Sequence, residues 1–403
     1  MIEIKPIPGG VLSVPGFRVG SARCGFYDGV RDDLGILVAD RDCTVAGVFT
    51  RNAFPAAPVV ETRERISRIG RAKSLVINAG NANALTGESG HDHAKQMIAK
   101  LDAACGGPAL VLSTGVIGVP LPIDDVLTGI DEAAARLSGE SDSPFAHAIL
   151  TTDTRIKTAS VEVGVPGTEE SIRVGGVAKG SGMIHPNMAT MLGILTVDAD
   201  VPSDVLGEML RGSVDRSFHQ ISVDGDTSTN DAVLVFARPR DEQSLRATDE
   251  ARHAAIRAGM EAVCRRLAEQ IVADGEGMSM MLRVEVVNAP SDEAATKVAR
   301  SIAASLLVKT AVAGRDPNWG RFIAAAGNAG VPLDPKRITL TLGGATVYSQ
   351  GAPTPISEKE RESIFAEPEV TARIDLGAGV SGASMLTTDL THEYVTINAE
   401  YTT

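Results

Sequence analysis

Apolar and polar positions alternate with two different periods along this chain, and the alternation predicts strands and helices in turn. "SLVIN" (74–78) and "ALVLS" (109–113) are short apolar runs that are typical of buried strands. A segment with apolar residues at helical spacing follows each run, over 91–105 and 124–137. Strands that alternate with helices in this way indicate an α/β fold.

The second half of the chain continues the pattern with longer elements. Helices are predicted over 203–218, with Ser203 as N-cap, over roughly 248–273 and over about 291–305. "LRVEVV" (282–287) alternates strictly and predicts a half-buried strand, and strand pairs follow it. No internal repeat or low-complexity linker marks a domain boundary.

Composition narrows the class of protein. The chain has 403 residues, enough for two or three hydrophobic cores. Aromatic residues make up only 3%, so the cores must be built from Ala, Val, Ile and Leu. The 41 glycines exceed the usual share of about 7%, which favours an α/β protein with many tight turns.

Charge, hydropathy and cysteine usage exclude several functions. The net charge of −13, with no basic stripe, argues against nucleic-acid partners. No run approaches the roughly 18 apolar residues of a membrane helix, and the first residues hold prolines and charges where a signal peptide would have its apolar region, so none is expected. The four cysteines are scattered, without paired spacing. We therefore expect a cytoplasmic protein with reduced thiols.

The stretch "KGSGMIHPNMATML" (179–192) carries the first candidate chemistry. Gly180 and Gly182 permit unusual backbone conformations, Pro186 forbids a helix, and an apolar run begins at Thr190. Thr190 is then either the first residue of a buried strand or a nucleophile. A threonine hydroxyl needs a base, and its own α-amine can serve once the chain is cut in front of it.

Several sequence blocks in this order make the chain similar to one family. The chain resembles the ornithine acetyltransferase (glutamate N-acetyltransferase) family of arginine biosynthesis. The resemblance rests on the stretch just described and on "GVFTRN" (47–52), "NAGNANALTG" (78–87), "STGVIG" (113–118), "AILTTDT" (148–154), "VDGDTSTND" (223–231), "ADGEG" (273–277), "LVKTAVAGRDPNWGR" (307–321) and "TINAEYTT" (396–403).

The resemblance implies a self-processing enzyme. Cleavage between Ala189 and Thr190 would give an α fragment, 1–189, and a β fragment, 190–403, which stay together as a heterotetramer or larger assembly. The implied fold is an αββα-type sandwich, N-terminal-nucleophile-like, with two β-sheets between helical layers. A smaller C-terminal α/β lobe would begin at about residue 280.

The resemblance also implies roles for individual residues. Thr190 would take the acetyl group from N2-acetylornithine as an ester and pass it to glutamate, in ping-pong order. Thr114 and Gly115 would stabilise the oxyanion, and no cofactor is required, although acetyl-CoA is a possible alternative donor. The family's substrate-binding positions correspond to Thr151, Lys179, Thr190, Glu276, Asn398 and Thr403.

The chemistry of Lys179 and Glu276 agrees with part of this assignment. A lysine and a glutamate held apart would suit a zwitterionic amino acid, since it presents a carboxylate and an ammonium. The family usually has lysine where this chain has Met280, so a changed substrate, or a secondary-metabolite branch, stays open.

Other residues of the chain suggest other chemistry. His185 is expected to hold the turn rather than act as a base, and "DGDTST" (224–229) lacks the glycine and glutamate of a calcium loop, so no metal is implied. The alternative functions are an N-terminal-nucleophile amidase or aminopeptidase, and an amino-acid-binding relative that is never cleaved.

Overall fold

The computed structural model describes residues 2–27, 29–185, 191–240 and 250–400. Within these ranges the strands are β1 (Ile4–Pro6), β2 (Phe17–Ala22), β3 (Leu34–Phe49), β4 (Arg71–Asn81), β5 (Ala109–Val116), β6 (Lys157–Gly164), β7 (Ser171–Lys179), β8 (Leu192–Val197), β9 (Ile221–Ser222), β10 (Ala232–Ala237), β11 (Met281–Ala289), β12 (Thr339–Leu342), β13 (Ala345–Ser349), β14 (Ala352–Pro353), β15 (Glu369–Asp375) and β16 (Ser381–Thr388).

The helices of the described ranges lie between these strands. They are α1 (Ala57–Ile69), α2 (Gly87–Cys105), α3 (Ile123–Ala135), α4 (Ser143–Ala148), α5 (Ser203–Asp215), α6 (Glu250–Val272), α7 (Asp292–Ala303), α8 (Leu306–Ala313), α9 (Trp319–Gly327), α10 (Glu358–Ile364) and α11 (His392–Glu400). Short 3-10 turns cover Val11–Ser13 and Phe218–Gln220.

The larger sheet has nine strands in the order β1-β6-β7-β8-β10-β3-β4-β5, with β2 paired to β3 beside this path. Strands β8 and β10 are parallel to each other, as are β4 and β5, and the other pairs are antiparallel. Helices α5 and α6 pack on β3, β6 and β7, while α2 and α3 pack on β2 to β5. A further core, which includes Phe145 of α4, joins side chains of β3, β4, β5, β8 and β10.

The smaller sheet has seven strands in the order β14-β13-β12-β15-β11-β16-β9. Its strand β11 buries every second residue, as the alternation of "LRVEVV" predicts, and α7 packs against it and against β16. The predicted α/β fold with two sheets and helical layers is confirmed. None of the helices in the described ranges combines the length and apolarity that a membrane span needs.

One local prediction is wrong. Ser203 is not the N-cap of α5: it is the first helical residue, it follows Pro202, and its hydroxyl donates a hydrogen bond to the Val45 carbonyl 3.2 Å away. The tertiary partner on β3 therefore takes the hydroxyl that would otherwise cap the helix. The long helix predicted over 248–273 is present as α6.

Candidate active site

A polar pocket lies where the ends of β5 and β7 meet the loops that precede β10 and follow α6. It brings together six of the residues predicted from the sequence, although they come from five separate blocks. The residues that line it are Thr114, Gly115, Ile117, Thr151, Thr152, Lys179, Gly182, Met183, Ser228, Thr229, Asn230, Glu276 and Asn398.

Thr114 and Gly115 form one wall of the pocket, at the end of β5. Gly115 has a φ of +130°, and a Cβ built on it would lie 2.3 Å from the carbonyl carbon of Gly80 on the neighbouring strand β4. Only glycine fits both requirements. The Asn230 side chain donates to the Ser113 and Ala82 carbonyls, at 2.8 and 2.6 Å, and so fixes this strand end.

Lys179 is the cation of the pocket and the last residue of β7. Its side chain is 3% exposed, and its Nζ lies 2.6 Å from Thr151 Oγ1 and 3.4 Å from Thr114 Oγ1. Burial lowers the pKa of Lys179, while the Asp153 carboxylate, 3.7 Å away, acts in the opposite direction. The neighbours of this ammonium are two hydroxyl groups and one carboxylate at 3.7 Å. The ammonium can therefore still bind the carboxylate of a substrate.

A buried ion network stands behind Lys179. Lys157 donates to both Asp153 and Asp274, at 2.6 Å each, and the Lys157 and Asp153 side chains have no exposed surface. Asp153 also accepts the Gly180 amide at 2.6 Å. Burial raises the pKa of Asp153, but the charges of Lys179 and Lys157 outweigh it and lower that pKa to about 2. The network therefore holds an ionised Asp153 carboxylate next to the Lys179 ammonium.

Glu276 supplies the opposite charge. Its Oε2 accepts a 2.8 Å hydrogen bond from Asn398 of α11, and its backbone amide donates to the Ser181 carbonyl at 3.1 Å. The carboxylate lies so close to Gly182 that a Cβ there would approach Oε2 to 2.3 Å. A larger residue at the second glycine of "KGSG" would therefore push the Glu276 carboxylate out of this position.

Asp224 holds the loop between these two charges, and the sequence reasoning missed it. Its carboxylate accepts the amides of Met183, at 2.5 Å, and of Ile184, at 2.9 Å. Burial raises the pKa of Asp224 to about 6. The signal was present in "DGDTST", but it was tested only as a calcium loop. Asp153, Lys157 and Asp274 were missed as well, because a sequence does not show which buried charges meet.

Three predicted residues, Ala189, Thr190 and Thr403, lie outside the described residues. The chain is described again at Met191, whose amide donates to Asp231 at 3.0 Å. His185 Nδ1 lies 3.2 Å from Ser222 Oγ, and burial lowers the pKa of this imidazole.

Met280 lies away from the pocket, and the described residues hold no metal-binding cluster. Met280 is 4% exposed and packs in the core of the smaller sheet, so it does not line the pocket. In the described ranges, no group of three or more His, Cys, Asp or Glu side chains is arranged to hold a metal ion.

The pocket combines an ammonium, a carboxylate, and a hydroxyl and a glycine at a strand end, and these groups suit an enzyme that acts on a small zwitterion. The ArgJ family model matches residues 18–403. An arginine biosynthesis bifunctional protein ArgJ from Symbiobacterium thermophilum is 44% identical over 404 residues, which cover 98% of this chain and 99% of that protein. The one from Thermosynechococcus vestitus is 40% identical over 421 residues, covering both proteins fully.

A crystal structure of the ornithine acetyltransferase from Mycobacterium tuberculosis, in complex with ornithine, is 30% identical, with a TM-score of 0.41 over 46% of this chain and 98% of that chain. On the family match and the full-length relatives, the chain belongs to the ArgJ family. The family resemblance stated from the motifs is confirmed, and with it acetyl transfer in arginine biosynthesis.

Proposed function

We propose that this protein cleaves itself between Ala189 and Thr190 and then moves the acetyl group of N2-acetylornithine to glutamate through an acetyl ester on Thr190. The observation that carries the proposal is that the Lys179 ammonium and the Glu276 carboxylate line the same pocket. Donor and acceptor are both amino acids, so one cation and one anion held apart can orient either of them in the same place.

Two acyl steps account for the reaction. In the first, Thr190 Oγ forms a bond to the acetyl carbon, its proton passes to the Thr190 α-amine, and the C–N bond of acetylornithine breaks as that proton moves to the leaving nitrogen. In the second, the glutamate amine forms a bond to the acetyl carbon, the ester C–O bond breaks, and a proton of the glutamate amine passes through the Thr190 α-amine to Thr190 Oγ.

The oxyanion of each step would be stabilised by Thr114 and Gly115. Thr114 is 2% exposed and Gly115 lies on the same pocket wall. Donors that are fixed before the reaction stabilise developing charge, and the loss of one typically costs about 2.7–4 kcal/mol of transition-state stabilisation. Lys179, 3.4 Å from Thr114 Oγ1, would keep that hydroxyl oriented.

The test is intact mass spectrometry of the purified chain before and after incubation with acetylornithine. We expect two fragments that split at Ala189–Thr190, with an acetyl adduct on the fragment 190–403. Thr190→Ala should remain one chain of 41.9 kDa and show no transfer. Thr196→Ala is the matched control, because Thr196 lies in β8, and its hydroxyl bonds only the Val11 carbonyl among the described residues. Continued cleavage of the Thr190→Ala chain contradicts the proposal.

Isotope-labelled acetylornithine separates this proposal from the alternative functions. Label that reaches glutamate supports the transferase, whereas label released as free acetate indicates an amidase. A wild-type chain that is never cleaved indicates the amino-acid-binding relative. Acetyl-CoA is proposed as a second donor on the strength of the name "bifunctional" among the relatives, and the same acetyl adduct measured with acetyl-CoA alone tests it.

Assembly and location belong to the same proposal. The fragments 1–189 and 190–403 are proposed to remain together as a heterotetramer or larger particle, which native mass spectrometry can count. A cytoplasmic location is proposed because all four cysteines are free thiols, three of them buried.

A further inference from the structure

Asn230 is a pocket residue to which the reaction just described gives no role. It lies two positions before β10 begins, it lines the pocket, and it is only 3% exposed. Its side-chain amide donates to two backbone carbonyls, that of Ala82 at 2.6 Å and that of Ser113 at 2.8 Å. Its Oδ1 accepts the Thr229 hydroxyl at 2.6 Å. Because a side-chain amide has only two hydrogens to donate, both are used here and the side chain is held in one orientation.

The two carbonyls lie where the pairing of β4 and β5 becomes irregular. The two strands are parallel, and their register shifts directly after Gly80, opposite Gly115. A shift of this kind disrupts the regular ladder, and side chains can then satisfy the backbone groups concerned. Ser113 precedes the irregular stretch on β5, and Ala82 follows it on the other chain segment. In the sheet, β3 and β4 separate β10 from β5, so Asn230 joins the start of β10 to a strand that is not its neighbour.

The Ser113 carbonyl is directly connected to the two residues proposed to stabilise the oxyanion. This carbonyl and the Thr114 amide belong to one planar peptide unit, so a hydrogen bond to the carbonyl also fixes the direction of the whole unit. Thr114 extends from that unit, and Gly115 follows with its φ of +130°. The Ser113 hydroxyl is fixed as well, because it donates to Asn78 Oδ1 at 2.5 Å. The orientation of the segment that carries Thr114 and Gly115 therefore depends on the Asn230 amide.

We propose that Asn230 is a positioning residue for acetyl transfer: its side-chain amide holds the Ser113–Thr114 peptide in the orientation in which Thr114 and Gly115 stabilise the oxyanion. The inference rests on the proposed function, in which those two residues meet the developing charge. Asn230 acts through them and not on the substrate, because the hydrogens of its amide are already donated to carbonyls. Donors must be in place before the reaction, and a displacement of about 1 Å can slow a reaction ~100-fold.

Asn230→Asp tests the inference, because aspartate has the shape of asparagine but cannot donate to both carbonyls. We expect this chain to fold, to be cleaved and to bind ornithine as tightly as the wild type in calorimetric titration, since Lys179 and Glu276 are unchanged. The rate of acetyl-enzyme formation at saturating acetylornithine, counted per cleaved chain by quenched-flow mass spectrometry, should fall ~100-fold. Slow acetylation with unchanged ornithine binding indicates a positioning role, because general damage to the pocket would weaken both.

Asn83→Asp is the matched control. Asn83 is also buried, and its side-chain amide donates to the Gly90 carbonyl at 2.9 Å, but it does not line the pocket. We expect its acetyl-enzyme to form at the wild-type rate. Thr229→Val is a milder second variant, which keeps the test open if Asn230→Asp does not fold. It removes the hydroxyl that Asn230 Oδ1 accepts, and the loss of one such hydrogen bond should slow acetylation ~5-fold.

The outcomes separate this inference from the proposed function. A wild-type chain that shows no cleavage or no acetyl-Thr190 contradicts the proposed function itself. With both intact in the wild type, acetylation of Asn230→Asp at the wild-type rate overturns the role of Asn230. An equal slowing in Asn83→Asp, or a parallel loss of ornithine affinity in Asn230→Asp, also overturns it, because the effect would then belong to the fold or to the whole pocket. So does a folded Asn230→Asp chain that is never cleaved, since the inference limits Asn230 to the transfer reaction.

Discussion

Two regions of this molecule bury lysine ammonium groups, and they do so in opposite ways. Beside the pocket, Lys157 lies between Asp153 and Asp274, at 2.6 Å from each. In the C-terminal region Lys309 of α8 is 1% exposed and is surrounded by oxygens of Thr387 and Thr388, with no carboxylate of the described ranges within 4.0 Å of its Nζ. Burial lowers the pKa of Lys309 to about 8.

The difference teaches what each region requires. A buried lysine between two carboxylates can fix other charged groups in place, as Lys157 does for Asp153 and hence for Lys179. A lysine that meets only hydroxyl and carbonyl oxygens can satisfy its hydrogen bonds but not its charge, so it ties two segments together and gives up a proton more easily. The first arrangement serves a binding site and the second serves packing.

The largest expected effect comes from removing the centre of the pocket network. Lys157→Met should lower the free energy of unfolding by about 3–5 kcal/mol, because two buried carboxylates lose their shared partner. Urea denaturation at neutral pH measures it. Lys297→Met is the control: its ion pair with Glu293 is largely exposed and screened by solvent, and we expect a much smaller loss there. Equal losses of unfolding free energy for the two substitutions would mean that the buried network stabilises the fold no more than an exposed ion pair does.

The next largest effect is the pH dependence of stability that Lys309 causes. Its folded pKa of about 8 lies below that of an unfolded lysine, so the unfolded state binds more protons between the two values. The free energy of unfolding should therefore rise by about 3 kcal/mol between roughly pH 8 and pH 10.5. In Lys309→Met this rise should be absent, so the wild-type chain should gain about 3 kcal/mol relative to Lys309→Met between roughly pH 8 and pH 10.5. Parallel curves for the two chains would show that Lys309 titrates normally.

A smaller effect at acid pH belongs to Asp153. Its folded pKa of about 2 lies below the value of an unfolded aspartate, so its contribution is present above about pH 4 and is lost as the pH falls towards 2. About 1 kcal/mol should be gone by pH 3. The stability difference between wild type and Asp153→Asn, followed by urea titration from pH 6 to pH 3, should shrink by that amount. A constant difference over this range would contradict the assignment.

The sequence predicts the elements of this fold better than it predicts their contacts. Burial favours apolar residues, so the local sequence shows directly which positions are buried. This holds for the apolar runs at 74–78 and 109–113 and for the alternation at 282–287. The capping role of Ser203 was wrong because its hydroxyl is used by β3, and no local pattern encodes that partner.

For the candidate site, too, the sequence predicts the residues that line the pocket but not the residues that support them. Lys179, Glu276, Asn398, Thr151, Thr114 and Gly115 were predicted from motif blocks, and the structure brings them to one pocket. Their supports, Asp153, Asp224 and Asp231, lie in the motif blocks "AILTTDT" and "VDGDTSTND", but the sequence analysis gave them no role. Only the fold shows that each of them accepts an amide of the segment around the proposed cleavage site.

The position of β8 and β10 in the larger sheet has a consequence for how the protein is made. If the chain is cut at the proposed bond, β8 and β10 belong to the fragment 190–403. Their neighbours in the sheet, β7 on one side and β3 on the other, both belong to the fragment 1–189. The two products are interleaved rather than docked, so dilution alone cannot part them. Once unfolded, however, they must find each other as separate molecules. The mature protein would then be stable for kinetic reasons that its precursor, which folds as a single chain, never needs.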